Sequence, residues 1–249
     1  METLNRENGE TLAYTKLEPT ANKPTLVWLS GFNSDMSGSK ALAVKDWAEA
    51  NGFGYLAFDY FGHGASSGDF ANGTISLWRE DCLAAIDALS DGPLILIGSS
   101  MGGWMALLTA LARKARVKGM VLIAPAPDFT QKLLWQELSG AAQEEIAHNG
   151  FWMRPTDYGE PYPITRELIS DGKQWSILDG PIDLSMPVTI LQGKMDPDVP
   201  WTHALKVQEK IASTDCVFHL IKDGEHRLSR EGDIKRLLLE VQLMTEKVG

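Results

Sequence analysis

The segment Pro93-Leu-Ile-Leu-Ile-Gly98-Ser99-Ser100-Met101-Gly102-Gly103 restricts the fold of this chain more than any other. An aliphatic run reads as a buried strand, G-x-S-x-G follows it at once, and residues 103–115 then carry a helical period. A strand that passes straight into a helix must turn very tightly. Such a turn strains the residue at its tip and pushes the Ser100 hydroxyl clear of the backbone. Small residues two positions before and after the serine let a neighbouring chain pass close by. The positive end of the following helix faces the serine. The plainer alternative is a Gly/Ser loop that only turns the chain.

Around this segment two hydrophobic periods alternate. Residues 24–30, 53–59, 93–98, 117–124, 187–193 and 215–222 are short apolar runs bounded by Pro and Gly, rich in Val, Ile and Leu. Runs that are apolar on both faces suit strands of a parallel sheet covered on both sides. Residues 40–51, 74–89, 103–115, 202–212 and 230–247 have helical periodicity between them. In the second of these, Ile75, Trp78, Cys82, Ala85, Ile86 and Leu89 form one stripe for burial. The alternation predicts an α/β fold: a mostly parallel sheet with right-handed crossovers and helices on both faces. Residues 11–18 alternate and predict an antiparallel edge. Length fits a single domain over residues 1–249.

One interval breaks the rhythm. Residues 125–186 hold no convincing sheet strand; residues 131–147 read as a helix and residues 163–178 as one or two more. The interval is rich in rings: Phe129, Trp135, Phe151, Trp152, Tyr158, Tyr162 and Trp175. It reads as a helical cap insertion over about residues 126–185. Either it supplies an apolar ligand pocket over one end of the sheet, or it is a packed excursion with no special role.

Composition narrows the function. The chain carries 23 basic and 33 acidic side chains, a formal charge of −10, which argues against nucleic acid as a partner. The unbroken apolar runs 104–108 and 120–124 are too short to span a bilayer. The opening METLNRENGETLAY has neither an apolar core nor an Arg-rich amphipathic stretch, so the expected location is the cytoplasm. Cys82 and Cys216 make no disulfide framework and read as buried thiols. There is no Walker A loop, H-E-x-x-H or C-x-x-C, and residues 59–68 have the wrong glycine spacing for a dinucleotide fingerprint. No organic cofactor or metal is expected.

A serine nucleophile near neutral pH needs a base, and the base needs an orienting acid. In this kind of fold the chain order is serine, acid, histidine. His63 precedes the serine, His148 lies in the inserted interval, His203 reads as a surface residue, and His219 as a packed or paired core residue. His226, in Asp223-Gly224-Glu225-His226-Arg227 beyond the last strand, is the expected base, because active-site groups collect where parallel strands end. Asp196, first in the turn after residues 187–193, is the expected acid. Asp198 and, after an earlier strand, Asp128 are the alternatives. The Asp-Pro-Asp turn also resembles the start of a calcium loop, but Trp201 and Val207 stand where that loop needs Gly and Glu. Two backbone N–H groups should hold a tetrahedral oxyanion. Met101, directly after the serine, offers one, and Phe32, in the loop Leu29-Ser30-Gly31-Phe32-Asn33, offers the other with its ring toward the pocket.

With these residues in place the chain resembles the α/β-hydrolase superfamily. The likeness rests on S-G-F at 30–32, F-D-Y-F-G-H-G-A-S-S-G at 58–68, G-S-S-M-G-G at 98–103, the Asp196 turn and G-E-H-R at 224–227. W-L-S-G-F-N-S-D-M-S-G-S-K-A at 28–41, with D-V-P-W at 198–201 and S-T-D at 213–215, is similar to bacterial relatives of mitochondrial palmitoyl-protein thioesterases and mycophenolic acid acyl-glucuronide esterases. The resemblance implies a serine hydrolase whose Ser100, Asp196 and His226 form a triad. It would act through an acyl-enzyme on small-molecule acyl esters or thioesters, with S-acylated proteins as a further substrate class. Two other functions remain compatible with the same residues: C–C bond hydrolysis of a diketone, and ligand binding without turnover.

Overall fold

The computed structural model describes residues 1–7, 9–20, 23–155 and 160–248. Its framework is an eight-stranded sheet. In chain order the strands are β1 (Glu2–Asn5), β2 (Thr11–Leu17), β3 (Thr25–Leu29), β4 (Gly54–Phe58), β5 (Leu94–Ser99), β6 (Val117–Ile123), β9 (Val188–Gly193) and β10 (Cys216–Ile221). They lie side by side as β1-β2-β4-β3-β5-β6-β9-β10. The last six are mutually parallel, and all six were legible as apolar runs. β2 is antiparallel as expected but does not form the edge. β1 pairs outside it, in the register Glu2↔Tyr14, and the Tyr14 hydroxyl donates to Glu2. Four polar-flanked residues carry too little periodicity to announce such a strand.

Side-chain alternation explains why the inner parallel strands are largely apolar on both faces. In β5, Leu94 and Leu96 face one core and Ile95 and Ile97 the other. The first core joins Val27, Leu56, Leu122 and Ile190 to α2 (Ile75–Leu89), α3 (Met101–Ala112) and α7 (Trp201–Lys210). The second joins Leu26, Tyr55, Val121 and Leu191 to α1 (Ser39–Asn51) and α8 (Glu231–Val248). Burying one such aliphatic or aromatic side chain stabilises the fold by about 1.5–3 kcal/mol. Helices thus cover both faces of the sheet. The α2 stripe is buried as its periodicity predicts, with Trp78 and Cys82 wholly enclosed, except for Leu89 at its end, which is partly covered.

The interval between β6 and β9 is less regular than its sequence suggests. The expected helix over 131–147 is a π-helical turn (Thr130–Leu134), a short α4 (Trp135–Glu137) and a separate α5 (Gly140–Asn149). Ser139 breaks it, since its side chain caps the Ala142 N–H at 3.2 Å and starts a new helix. The interval also holds strands: β7 (Phe151–Arg154) pairs antiparallel with β8 (Tyr162–Thr165). Only the middle of 163–178 is helical, as α6 (Arg166–Gln174), capped at Leu168 by Thr165. Tyr158 lies outside the described residues. Leu134, Ile146, Ile164 and Ile169 close a small core of their own, against Phe32 and Phe129 beneath. Asp128 fastens the interval to itself: its buried carboxylate accepts the N–H groups of Ile177 at 2.8 Å and Leu178 at 3.0 Å. No helix among the described residues is long and apolar enough to cross a membrane.

Candidate active site

Ser100 stands between β5 and α3 at φ 57° and ψ −120°. A non-glycine residue in such a region costs about 1–3 kcal/mol and persists only where its surroundings hold it. Here the Ser100 N–H donates to Ile123 O at 2.8 Å, and its carbonyl accepts from Gly103 at 2.9 Å and Ala126 at 3.1 Å. A Cβ on Gly98 would collide with the Gly102 carbonyl, and one on Gly102 with the Leu29 carbonyl. The spacing of small residues around the serine is therefore a packing requirement of the turn.

The loops after β9 and β10 are stitched together. Lys194 N–H donates to Ile221 O at 2.8 Å, and Met195 N–H to Gly224 O at 2.8 Å. That stitching brings Asp196 and His226 to the serine. His226 Nε2 lies 3.1 Å from Ser100 Oγ, and its Nδ1 lies 2.8 Å from Asp196 Oδ2. An ionised carboxylate only accepts, so Nδ1 carries the hydrogen and Nε2 is left to receive the Ser100 O–H. The Asp196 side chain is fully enclosed. Its Oδ1 accepts from the N–H groups of Asp198 (2.9 Å) and Val199 (2.8 Å), and its Oδ2 accepts from Gln192 Nε2 at 3.1 Å as well as from His226. Four donors fix the plane of this carboxylate.

The other candidates have different partners. Asp198 gives its backbone N–H to Asp196 while its side chain is exposed. Asp128 spends its oxygens on the interval above, and burial pushes its carboxyl above the usual carboxylate range. His148 is exposed on α5. His219 is paired, 3.3 Å from Glu240, but half-exposed because β10 is an edge strand. His203 is not a surface residue. It is buried and its Nε2 donates to Pro127 O at 2.8 Å, so it pins the chain leaving β6. Its apolar sequence neighbours gave no sign of that distant partner. Cys82 is buried as expected, whereas Cys216 on the same edge strand as His219 is only partly covered.

A cleft of about 580 Å³ opens over Ser100 and His226. Phe32, Met101, Phe129, Leu133, Leu134 and Tyr162 form its apolar part, and Glu137, Arg154, Asp198 and Glu225 its charged rim. The Phe32 ring packs against Phe70, Trp78, Phe129 and Tyr162 at centroid distances of 5.0, 5.8, 5.4 and 5.7 Å. A second cavity of about 400 Å³ also meets Ser100 and His226, lined by the loop that follows β3 and by Lys40. Burial pushes the Lys40 ammonium down to about 8, and it donates to Arg227 O.

Asp196, Asp198 and His226 are close enough to suggest a cation cage, their ligand atoms lying within 4.8 Å of one another. Both Asp196 oxygens already hold donors, and His226 Nδ1 is one of them. The arrangement suits proton relay better than metal binding. Sequence reasoning missed two residues of this region. Gln192 lies one residue before the end of β9 and donates to Asp196; a lone amide in an aliphatic run was the available signal. His63 lies buried against the Phe32 loop, and chain order had set it aside.

A strained serine at a strand-to-helix turn, joined through a histidine to a buried carboxylate on this sheet, defines an α/β hydrolase. Residues 20–167 match the family Hydrolase_4, described as serine aminopeptidase, S33. The human protein "Palmitoyl-protein thioesterase ABHD10, mitochondrial" is 34% identical over 248 residues, covering 99% of this chain and 80% of its own. Two solved structures are similar throughout. A putative hydrolase from Agrobacterium vitis S4 is 44% identical with a TM-score of 0.94, covering 98% of this chain and 97% of its own. Mouse alpha/beta hydrolase domain-containing protein 10 is 34% identical with a TM-score of 0.91, covering 100% and 99%. The chain belongs to this α/β-hydrolase family and is a hydrolytic enzyme.

Proposed function

We propose that the enzyme cleaves carboxylic esters or thioesters through an acyl-enzyme on Ser100. The observation that carries this reading is the unbroken line Ser100 Oγ, His226, Asp196, at 3.1 and 2.8 Å. Ser100 Oγ attacks the acyl carbon as its proton passes to His226 Nε2. Asp196 holds the imidazole in the tautomer that can accept and stabilises the imidazolium that forms. The N–H groups of Met101 and Phe32 receive the oxyanion, and both residues line the cleft beside Ser100. His226 then gives its proton to the leaving oxygen or sulfur. Water, deprotonated by His226, attacks the acyl-enzyme, the acid departs and Ser100 regains its proton.

Residues 126–185 act in this reading as a cap within one domain, and their rings make the acyl site. The cleft volume falls within the range of about 300–1,000 Å³ usual for small-molecule sites. A relative named as a palmitoyl-protein thioesterase supports a long acyl chain on sulfur, so S-acylated proteins join small acyl esters and thioesters as candidate substrates. Both cysteines are free, which fits a reducing compartment and the cytoplasmic expectation, although that relative's name carries the word mitochondrial.

The test is turnover of an acyl-chain series on oxygen and sulfur leaving groups, with Ser100→Ala alongside. The reading predicts hydrolysis by the wild type, a preference for medium or long chains, and an inert variant. Turnover of vinylogous diketones with inert esters would replace it by C–C hydrolysis. Tight ligand binding with no turnover would replace it by a receptor.

A further inference from the structure

His63 takes no part in the proton relay, yet it is buried at 4% exposure beside the loop that carries Phe32. The rings of Tyr60, Phe70 and Trp78 box it in at 5.6, 5.1 and 5.2 Å. Each of its ring nitrogens has one partner. Nδ1 lies 3.1 Å from Phe61 O, and Nε2 lies 3.2 Å from the Asn33 backbone N. A carbonyl only accepts, so Nδ1 carries the hydrogen; Nε2 then presents a lone pair to the Asn33 N–H. The imidazole must be neutral for both bonds to exist. Burial pushes it below its ordinary value, against smaller opposite pulls from the hydrogen bond to the Phe61 carbonyl and from the Asp35 charge.

We infer that His63 is a positioning residue that orients the Phe32 N–H for the oxyanion by fixing the peptide that follows it. Asn33 sits at φ 53°, in the left-handed region, and its N–H points at His63 Nε2. Turning the Phe32–Asn33 peptide over would aim the Phe32 carbonyl at the Nε2 lone pair, where two acceptors repel. The same residue is held on its other side by the four-ring contact of Phe32. The loop's far ends are tied by Ser30 Oγ donating to Asp35 O at 3.0 Å and Met36 N–H donating to Asp59 Oδ1 at 2.8 Å. Phe32 therefore has both its ring and its following peptide fixed before substrate arrives. Preorganisation of this kind gives an oxyanion donor its value.

The inference rests on Phe32 being an oxyanion donor in the proposed reaction. It is tested with His63→Phe, which fills the space without an acceptor, and His63→Gln, whose amide oxygen can accept from Asn33. Losing an oxyanion donor outright lowers turnover by about 10²- to 10³-fold. Misplacing one should cost a part of that. His63→Phe is expected to lower kcat by about 10-fold or more with KM little changed. It should weaken a trifluoromethyl ketone inhibitor, whose adduct carries an oxyanion, in proportion to kcat. His63→Gln should recover most of both. Wild-type kcat in a folded His63→Phe, or losses that His63→Gln does not rescue while both variants stay folded, would overturn the inference. If neither variant folds, the nitrogen-15 spectrum of histidine-labelled wild type decides: Nδ1–H with a bare Nε2 on His63 supports it, and Nε2–H overturns it. Ser100→Ala separates the levels. Full activity there removes the proposed function itself, whereas an inert Ser100→Ala beside an unaffected His63→Phe removes only the role of His63.

Discussion

Replacing Asp196 by Asn changes one atom, and the surrounding donors decide what that atom does. Oδ1 faces the N–H groups of Asp198 and Val199, so the oxygen of the substituted amide must stay there. The amide nitrogen then lies where Oδ2 meets His226 and Gln192. It presents hydrogens to His226 Nδ1, which can answer only by giving up its own. The imidazole proton moves to Nε2, and Nε2 can no longer accept from Ser100. Gln192 also meets a donor with its amide nitrogen, but that nitrogen keeps the Gly193 and Val199 carbonyls, each at 3.0 Å, as acceptors for its two hydrogens. The scaffold can therefore absorb the change while the relay fails. The same tautomer error in serine proteases costs about 10⁴-fold in turnover, a barrier increase of about 5.4 kcal/mol at 1.36 kcal/mol per decade. Steady-state hydrolysis of a p-nitrophenyl ester, with a thermal melt to establish folding, measures it. Asp198→Asn should leave the rate close to wild type. A folded Asp196→Asn within tenfold of wild type, or a larger loss in Asp198→Asn, would refute the tautomer argument.

Three further substitutions address the scaffold. Gly102→Ala drives a Cβ into the Leu29 carbonyl, so a loss of about 3 kcal/mol is expected from overpacking alone. That corresponds to a Tm lower by roughly 6–12 °C at this size. Gly140→Ala meets nothing within 4 Å and should leave Tm unchanged or slightly raised; equal melts for the two would contradict the packing account. His203 is held neutral by burial, its folded value lying below the ordinary one. Unfolding lets it take a proton below about pH 6.5, so its contribution to stability is full above that pH and is lost as pH falls, at about 1.4 kcal/mol per unit. His203→Gln keeps a donor for Pro127 and should lack that slope in denaturant titrations from about pH 8 to 5; parallel curves for the two proteins would contradict it.

How much of this could be read in advance follows from where each signal resides. Five of the six parallel strands announce themselves because both of their faces are buried, so few polar residues interrupt them, and the edge strand β10 still reads as a short aliphatic run. Ser100, Asp196 and His226 were legible because each lies just beyond the end of such a strand, in the order the topology requires. Asp196 stood apart from Asp198 only by being first in its turn. Its four donors, which make the distinction physical, come partly from Gln192 on β9. Distant pairing is what the sequence does not display. His203 reaches back to Pro127 and His63 to Asn33, and neither bond leaves a local pattern. The β7–β8 hairpin was missed because its four-residue strands mix rings with charge and Pro.

The most direct test of the account is to mix enzyme and p-nitrophenyl ester, quench in acid within the first turnover, and weigh the peptide that contains Ser100. An acyl-enzyme requires a burst of p-nitrophenol approaching one equivalent per enzyme and an added mass of one acyl group on Ser100. Ser100→Ala should give neither burst nor adduct. Sustained turnover by that variant, or an adduct on another side chain, would contradict the account.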